Sequence, residues 1–95
     1  MSDVAPREPA RVVLYVRQGC HLCEAARDVV GPVAAEAGTA VREVDIDAGD
    51  DGATAAELVD RYGELVPVVT VDGVQQGYWR IDAGRVRRAL AGGRA

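Results

Sequence analysis

The chain has 95 residues, 48% apolar and 27% charged, the size and balance of a single globular domain, which excludes disordered, collagen-like and multidomain organisation. Eleven basic residues against fifteen acidic ones leave a net charge of −4, which argues against a phosphate backbone, and so against nucleic acid, as a partner. No apolar run approaches the ~20 residues that span a bilayer, and residues 1–10 are polar, with Asp3, Arg7, Glu8 and two prolines, so no membrane association, no secretory leader and a cytoplasmic location are expected.

Residues 1–10 read as a flexible segment and 11–92 as one domain. Arg11 to Val16 (RVVLYV) is a short, nearly all-apolar run, as expected of a central strand covered on both faces. After Arg17-Gln18-Gly19, apolar residues at Leu22, Ala26, Val29, Val30, Val33 and Ala37 mark one face of a helix that opens at Cys20 and Cys23. Gly31-Pro32 predicts a kink or break in it, because proline lacks a donor and crowds the preceding turn. Gly38 ends it. Ala40 to Asp47 (AVREVDID) reads as a second strand leading into an acidic loop, Asp47 to Gly52. Thr54 and Glu57 have the residue types of a capping box for a second helix whose inner face is Leu58, Val59 and Tyr62. Gly63 is expected to stop that helix in a left-handed conformation. Val66 to Val71 (VPVVTV), the turn Asp72-Gly73 and Val74 to Tyr78 form an antiparallel hairpin, with Pro67 at the very start of its strand, where a missing donor is tolerated. Asp82 caps a last helix with Val86, Ala89 and Leu90 inside. The order β-α-β-α-β-β-α, with two β-α-β crossovers, implies an α/β fold: a mixed sheet, partly parallel, with helices on both faces.

Cys20 and Cys23 are the sole cysteines, and a disulfide between them encloses too short a loop to stabilise much. In a reducing compartment such a pair is redox-active or metal-binding more often than structural. A thiol attacks as its thiolate, and Cys20, where a strand gives way to a helix, can receive the unpaired amides of the first turn, such as those of Leu22 and Cys23. Cys23, nearly one turn inside, is shielded yet within reach of Cys20. That assigns nucleophile to Cys20 and resolver to Cys23. A closed zinc site needs about four ligands, and this segment supplies Cys20, Cys23 and the single histidine, His21. His21 either modulates the Cys20 thiolate or simply faces solvent. Leu22 is the other candidate modulator.

Arg11 to Cys23 (RVVLYVRQGCHLC), Glu43 to Asp47 (EVDID) and Arg61 to Val68 (RYGELVPV) followed by Asp72-Gly73 together resemble the glutaredoxin-like branch of the thioredoxin fold over nearly the whole chain. The resemblance implies a four-stranded mixed sheet and a thiol-disulfide oxidoreductase that binds no cofactor, with glutathione as an electron donor and a protein disulfide or glutathione mixed disulfide as substrate. It also implies a cis bond before Pro67, against the cysteine pair, and a Val66 backbone that pairs with an extended stretch of substrate. Arg17 matches a position where glutaredoxins carry a lysine that meets a glutathione carboxylate; a solvated charge is the alternative. Gly77 matches the first glycine of the pair that holds the other end of glutathione, whereas Tyr78 replaces the second. Trp79, Arg80 and Asp82 are instead similar in spacing to the small redoxins that donate electrons to ribonucleotide reductase and are reduced by a thioredoxin-reductase-type donor. His21-Leu22 matches neither branch.

Other residues leave alternatives. Asp45, Asp47, Asp50 and Asp51 suggest a cation loop, but the calcium pattern needs an oxygen ligand at Gly49 and a glutamate at Ala56, so none is expected. Arg85, Arg87, Arg88 and Arg94 make the last helix basic, either as a docking patch or as a solvated face. Tyr78 and Trp79 either stack on a substrate or alternate along a strand so that one enters the core. A monomeric dithiol oxidoreductase is the favoured reading, and a binding module that docks a partner or ligates a metal or cluster through the thiols is its competitor.

Overall fold

In the computed structural model residues 11–50 and 52–92 are described; the expected flexible segment over 1–10, Asp51 and Arg94 lie outside them. The elements are β1 (Val12–Val16), α1 (His21–Glu36), β2 (Val41–Asp45), α2 (Ala55–Tyr62), β3 (Val68–Val71), β4 (Val74–Tyr78) and α3 (Ala83–Gly92). The four strands form a single sheet in the order β2-β1-β3-β4. The fold is α/β, with a mixed four-stranded sheet and helices on both faces, as expected. No helix among the described residues is long and apolar enough to cross a membrane.

β1 is central, and its period of two explains its composition. Val12, Leu14 and Val16 point to one face, where they meet Ala26, Val30 and Val33 of α1 and Val86 and Leu90 of α3. Val13 and Tyr15 point to the other, against Val44, Ile46, Leu58, Tyr62 and Val68. With both faces covered there is no position in β1 for a polar residue. Tyr15 stacks on Tyr62 of α2 with ring centroids 4.4 Å apart, which fastens the second layer.

One crossover differs from the expectation. β1 and β2 are parallel, but β3 runs antiparallel to β1, so the connection through α2 returns a strand of opposite direction and only the first β-α-β unit is parallel. The hairpin forms at Asp72-Gly73, with φ of 51° and 85°. Gln76 is an extra residue in β4, since Gly77 pairs with Val69 and Gln75 with Thr70; such a bulge sharpens the twist near the end of the edge strand. Arg11 braces the far end of the molecule: its guanidinium donates to the Asp72 carboxylate at 2.8 and 2.9 Å and to the Leu90 carbonyl at 3.1 Å.

Local signals fared unevenly. The Thr54–Glu57 capping box is present in both directions, and Asp82 caps α3 through a 2.9 Å bond from the Gly84 amide. α1 runs unbroken through Gly31-Pro32, so of the kink or break expected there a break does not occur. Pro32 and Asp28, one turn before it, both lie on the exposed face, so the carbonyl deprived of its helical donor turns to water. Gly63 has φ −53°, so it is not a left-handed stop. Its small size serves packing instead: a Cβ there would stand 2.5 Å from the Val59 carbonyl oxygen.

Candidate functional site

β1 ends at Val16, and Arg17-Gln18-Gly19 turns the chain into α1; Gly19, at φ 77°, supplies a backbone conformation that side chains disfavour. Cys20 is the N-cap of α1, in extended conformation, and its Sγ accepts the Cys23 amide at 3.2 Å. That amide has no partner one full helical turn back and also donates to the Cys20 carbonyl at 3.2 Å, so the sulfur shares it in the place of a capping oxygen. Cys20 is half-buried and Cys23 is 1% exposed. The two are joined as a disulfide. His21 is exposed at the first helical position, and Leu22 is half-buried.

Val66 and Pro67 precede β3, joined by a cis peptide bond. The Val66 amide donates to the Tyr62 carbonyl at 3.1 Å, while its side chain, like Cys20, packs against the core under α1. Pro67 is fully buried, and its carbonyl accepts the Trp79 amide at 2.9 Å. Gly77 lies in β4 opposite Val69, where a Cβ would meet the end of Ile81 at 3.8 Å.

Arg17 lies at the same end of the sheet with its donors engaged. Its Nε and Nη2 donate to the two Asp47 oxygens at 2.8 and 3.0 Å, and Nη1 donates to the Gly63 carbonyl at 3.3 Å. This bidentate pairing, absent from the sequence reading, follows from parallel register: Val16 sits opposite Asp45, so Arg17 and Asp47 leave adjacent strand ends together. The hydrogen bonds from Arg17, reinforced by its charge, hold the Asp47 carboxyl below its ordinary value of 3.8. A carboxylate depressed in the folded state contributes stability above its unfolded value, lost as pH falls through the lower folded one. The tie therefore persists at neutral and mildly acidic pH and opens only below about pH 4. An NMR titration should show Asp47 returning to its ordinary midpoint in Arg17→Gln; the same midpoint in both proteins would show that the pairing is not formed in solution.

Alternation sends neither Tyr78 nor Trp79 into the core, against that expectation: they are 44% and 51% exposed. Trp79 lies past the strand with φ 61°, which costs a non-glycine residue about 1–3 kcal/mol and persists only where surrounding bonds impose it. Here the amide bonds Pro67 and Leu65 carbonyls at 2.9 and 3.2 Å and the indole Nε1 donates to the Glu64 carbonyl at 2.9 Å. Leu22, Tyr78, Trp79 and Arg80 line an open cleft of ≈ 430 Å³, which brings one of the two residues between the cysteines beside the two rings. Asp45, Asp47 and Asp50 are spent locally, on the Asp47 amide, on Arg17, and on the Gly52 and Ala53 amides with Arg42 nearby.

Comparison with known proteins agrees with this arrangement. Residues 11–91 match the model of the Glutaredoxin-like domain (DUF836) family. The uncharacterized protein Rv0508 of Mycobacterium tuberculosis is 29% identical over 85 residues, covering 85% of this chain and 82% of its own. Among solved structures, the structural-genomics target protein XcR50 from X. campestris is 35% identical with a TM-score of 0.63, covering 84% of this chain and 95% of its own. Protein Ne2328 from Nitrosomonas europaea shares the fold with a TM-score of 0.68 at 24% identity, over 95% of this chain and 99% of its own. With its family's model spanning the sheet, all three helices and the cysteine pair, this chain belongs to the glutaredoxin-like domain family, within the thioredoxin fold.

Proposed function

We propose that the protein is a dithiol-disulfide oxidoreductase of the cytoplasm, acting as a monomer. The observation that carries this reading is the cysteine pair itself: a half-buried Cys20 whose sulfur caps α1 and accepts the Cys23 amide, with Cys23 shielded one turn inside. The helix end and the donated amide favour negative charge on Cys20. The Cys20 thiolate attacks one sulfur of a substrate disulfide and expels the other as a thiolate, which takes up a proton from solvent. Cys23, deprotonated, then attacks Cys20 Sγ and expels the second substrate thiol. Two electrons pass from the dithiol to the substrate, and Cys20–Cys23 is left as a disulfide.

Substrates in this reading are protein disulfides and glutathione mixed disulfides. Pro67 shapes the groove beside the pair. Because the Val66 amide is already bonded to Tyr62, the Val66 carbonyl is the group offered to an extended substrate. Gly77 lies beneath Ile81 and lines no face of the Tyr78–Trp79 cleft. Arg17 meets a glutathione carboxylate only by releasing Asp47, so glutathione serves as reductant less readily than a thioredoxin-reductase-type donor.

Equilibration of the protein against a series of reduced-to-oxidised glutathione ratios, quenched by alkylation and read by mass spectrometry, tests this directly. A reversible two-electron transition between dithiol and internal disulfide is expected, with a midpoint in the roughly −270 to −120 mV range of such proteins. A pair that stays reduced at every ratio would overturn the proposal.

A further inference from the structure

Large aromatic side chains normally supply burial, each hiding some 150–250 Å². Trp79 does the opposite. Three hydrogen bonds hold its backbone and indole nitrogen to the segment around Pro67, yet half of the residue faces solvent, edge-on to Tyr78 with ring centroids 5.1 Å apart. The ring is thus fixed and exposed, and both aromatics border Leu22 in one cleft. Exposed apolar surface held rigid beside a reactive group is what a recognition site requires.

Arg80 completes it. Arg11, Arg17, Arg27, Arg42 and Arg87 each lie within ion-pair distance of a carboxylate, whereas Arg61, Arg80, Arg85 and Arg88 have no ion pair or hydrogen bond among the described residues, and of these four Arg80 is the one that lines this cleft. An unpaired guanidinium at the edge of an apolar patch complements a carboxylate that arrives with an apolar neighbour. Leu22 stands in the first turn of α1, two residues from Cys20, so an occupant of the cleft lies at the end of the helix that carries the cysteine pair.

We infer that the Leu22–Tyr78–Trp79–Arg80 cleft docks a protein segment in which a redox-active cysteine has an aromatic or large aliphatic neighbour and an acidic one. The inference rests on the oxidoreductase reading and names its substrate class: an acidic, apolar peptide stretch. The test compares two peptide disulfides, one with phenylalanine and glutamate flanking the cysteine and one with glycine and lysine, alongside bis(2-hydroxyethyl) disulfide. Each rate is normalised to that of dithiothreitol on the same compound, which removes differences in intrinsic thiol reactivity. Wild type should favour the phenylalanine–glutamate peptide by about tenfold or more in kcat/KM, and Arg80→Glu should lose about tenfold on it while reducing the hydroxyethyl disulfide at an unchanged rate. Equal use of both peptides by wild type, or an Arg80→Glu effect common to all three compounds, would overturn the docking site and leave the redox reading standing.

If none of the three is reduced, the redox reading fails, and docking is read without turnover. The chain has one tryptophan, so any change in tryptophan emission reports this cleft. Serine analogues of the two peptides are titrated at equal concentration. A response to the phenylalanine–glutamate analogue that Arg80→Glu removes supports the site; no response, or the same response to both, overturns it.

Discussion

Cys20→Ser is expected to lower disulfide reduction by about 10³-fold or more, because a serine hydroxyl is a poor nucleophile at neutral pH and no other thiol is exposed to replace it. The variant is well suited to the question, since serine is among the best N-cap residues and its hydroxyl can accept the Cys23 amide in place of the sulfur. Loss of activity therefore reports chemistry and not a frayed helix, as circular dichroism will show. Cys23→Ser has a different signature. The first exchange proceeds, the second has no attacking group, and one substrate thiol stays attached to Cys20, visible as an adduct in the intact mass. Retained turnover in Cys20→Ser would sink the mechanism. An adduct that forms on Cys23 in that variant would exchange the two roles, against the 1% exposure of Cys23.

What could be read in advance follows the range of the interactions involved. The strand β1, the capping box at Thr54 and Glu57 and the Asp72-Gly73 hairpin are set by residues within a few positions of one another, and all three stand where the sequence places them. The cysteine pair at the mouth of α1 was legible for the same reason. Pro32 could not be judged locally, because its effect depends on whether the freed Asp28 carbonyl faces protein or water. The direction of β3 depends on which edge of β1 remains open, a property of the assembled sheet. Trp79 is outward because carbonyls of Glu64, Leu65 and Pro67, far from it in sequence, impose a backbone conformation that its own identity opposes. Arg17 belongs with these: the family resemblance implied a contact with a glutathione carboxylate, and only pairing between β1 and β2 shows that Asp47 already holds it. Along this end of the molecule the cysteine pair is a local feature, and the settings of Arg17 and Trp79 are tertiary ones.

Leu14→Ala should be the most damaging single truncation of the core. Leu14 is fully buried at the middle of β1, between Glu43 of β2 and Val69 of β3. Its side chain enters the cluster that joins α1 and α3 to the sheet. Neighbours held by strand pairing on both sides cannot collapse into the space left behind, so the cost combines lost transfer energy with a cavity, about 2–5 kcal/mol. A domain of this size has about 5–15 kcal/mol in total, and the melting temperature should fall by more than about 10 °C. Val74→Ala is the control, since Val74 is 60% exposed on the edge strand and should change stability by less than about 0.5 kcal/mol. Denaturant unfolding of reduced protein reads both without a contribution from the disulfide. Equal stabilities for the two variants would mean that β1 is not the centre of the core. The expected gap has a functional corollary: β1 is the strand whose end delivers Cys20 to the helix, so loosening its middle should expose Cys23 to alkylation in the reduced protein while Val74→Ala leaves it shielded.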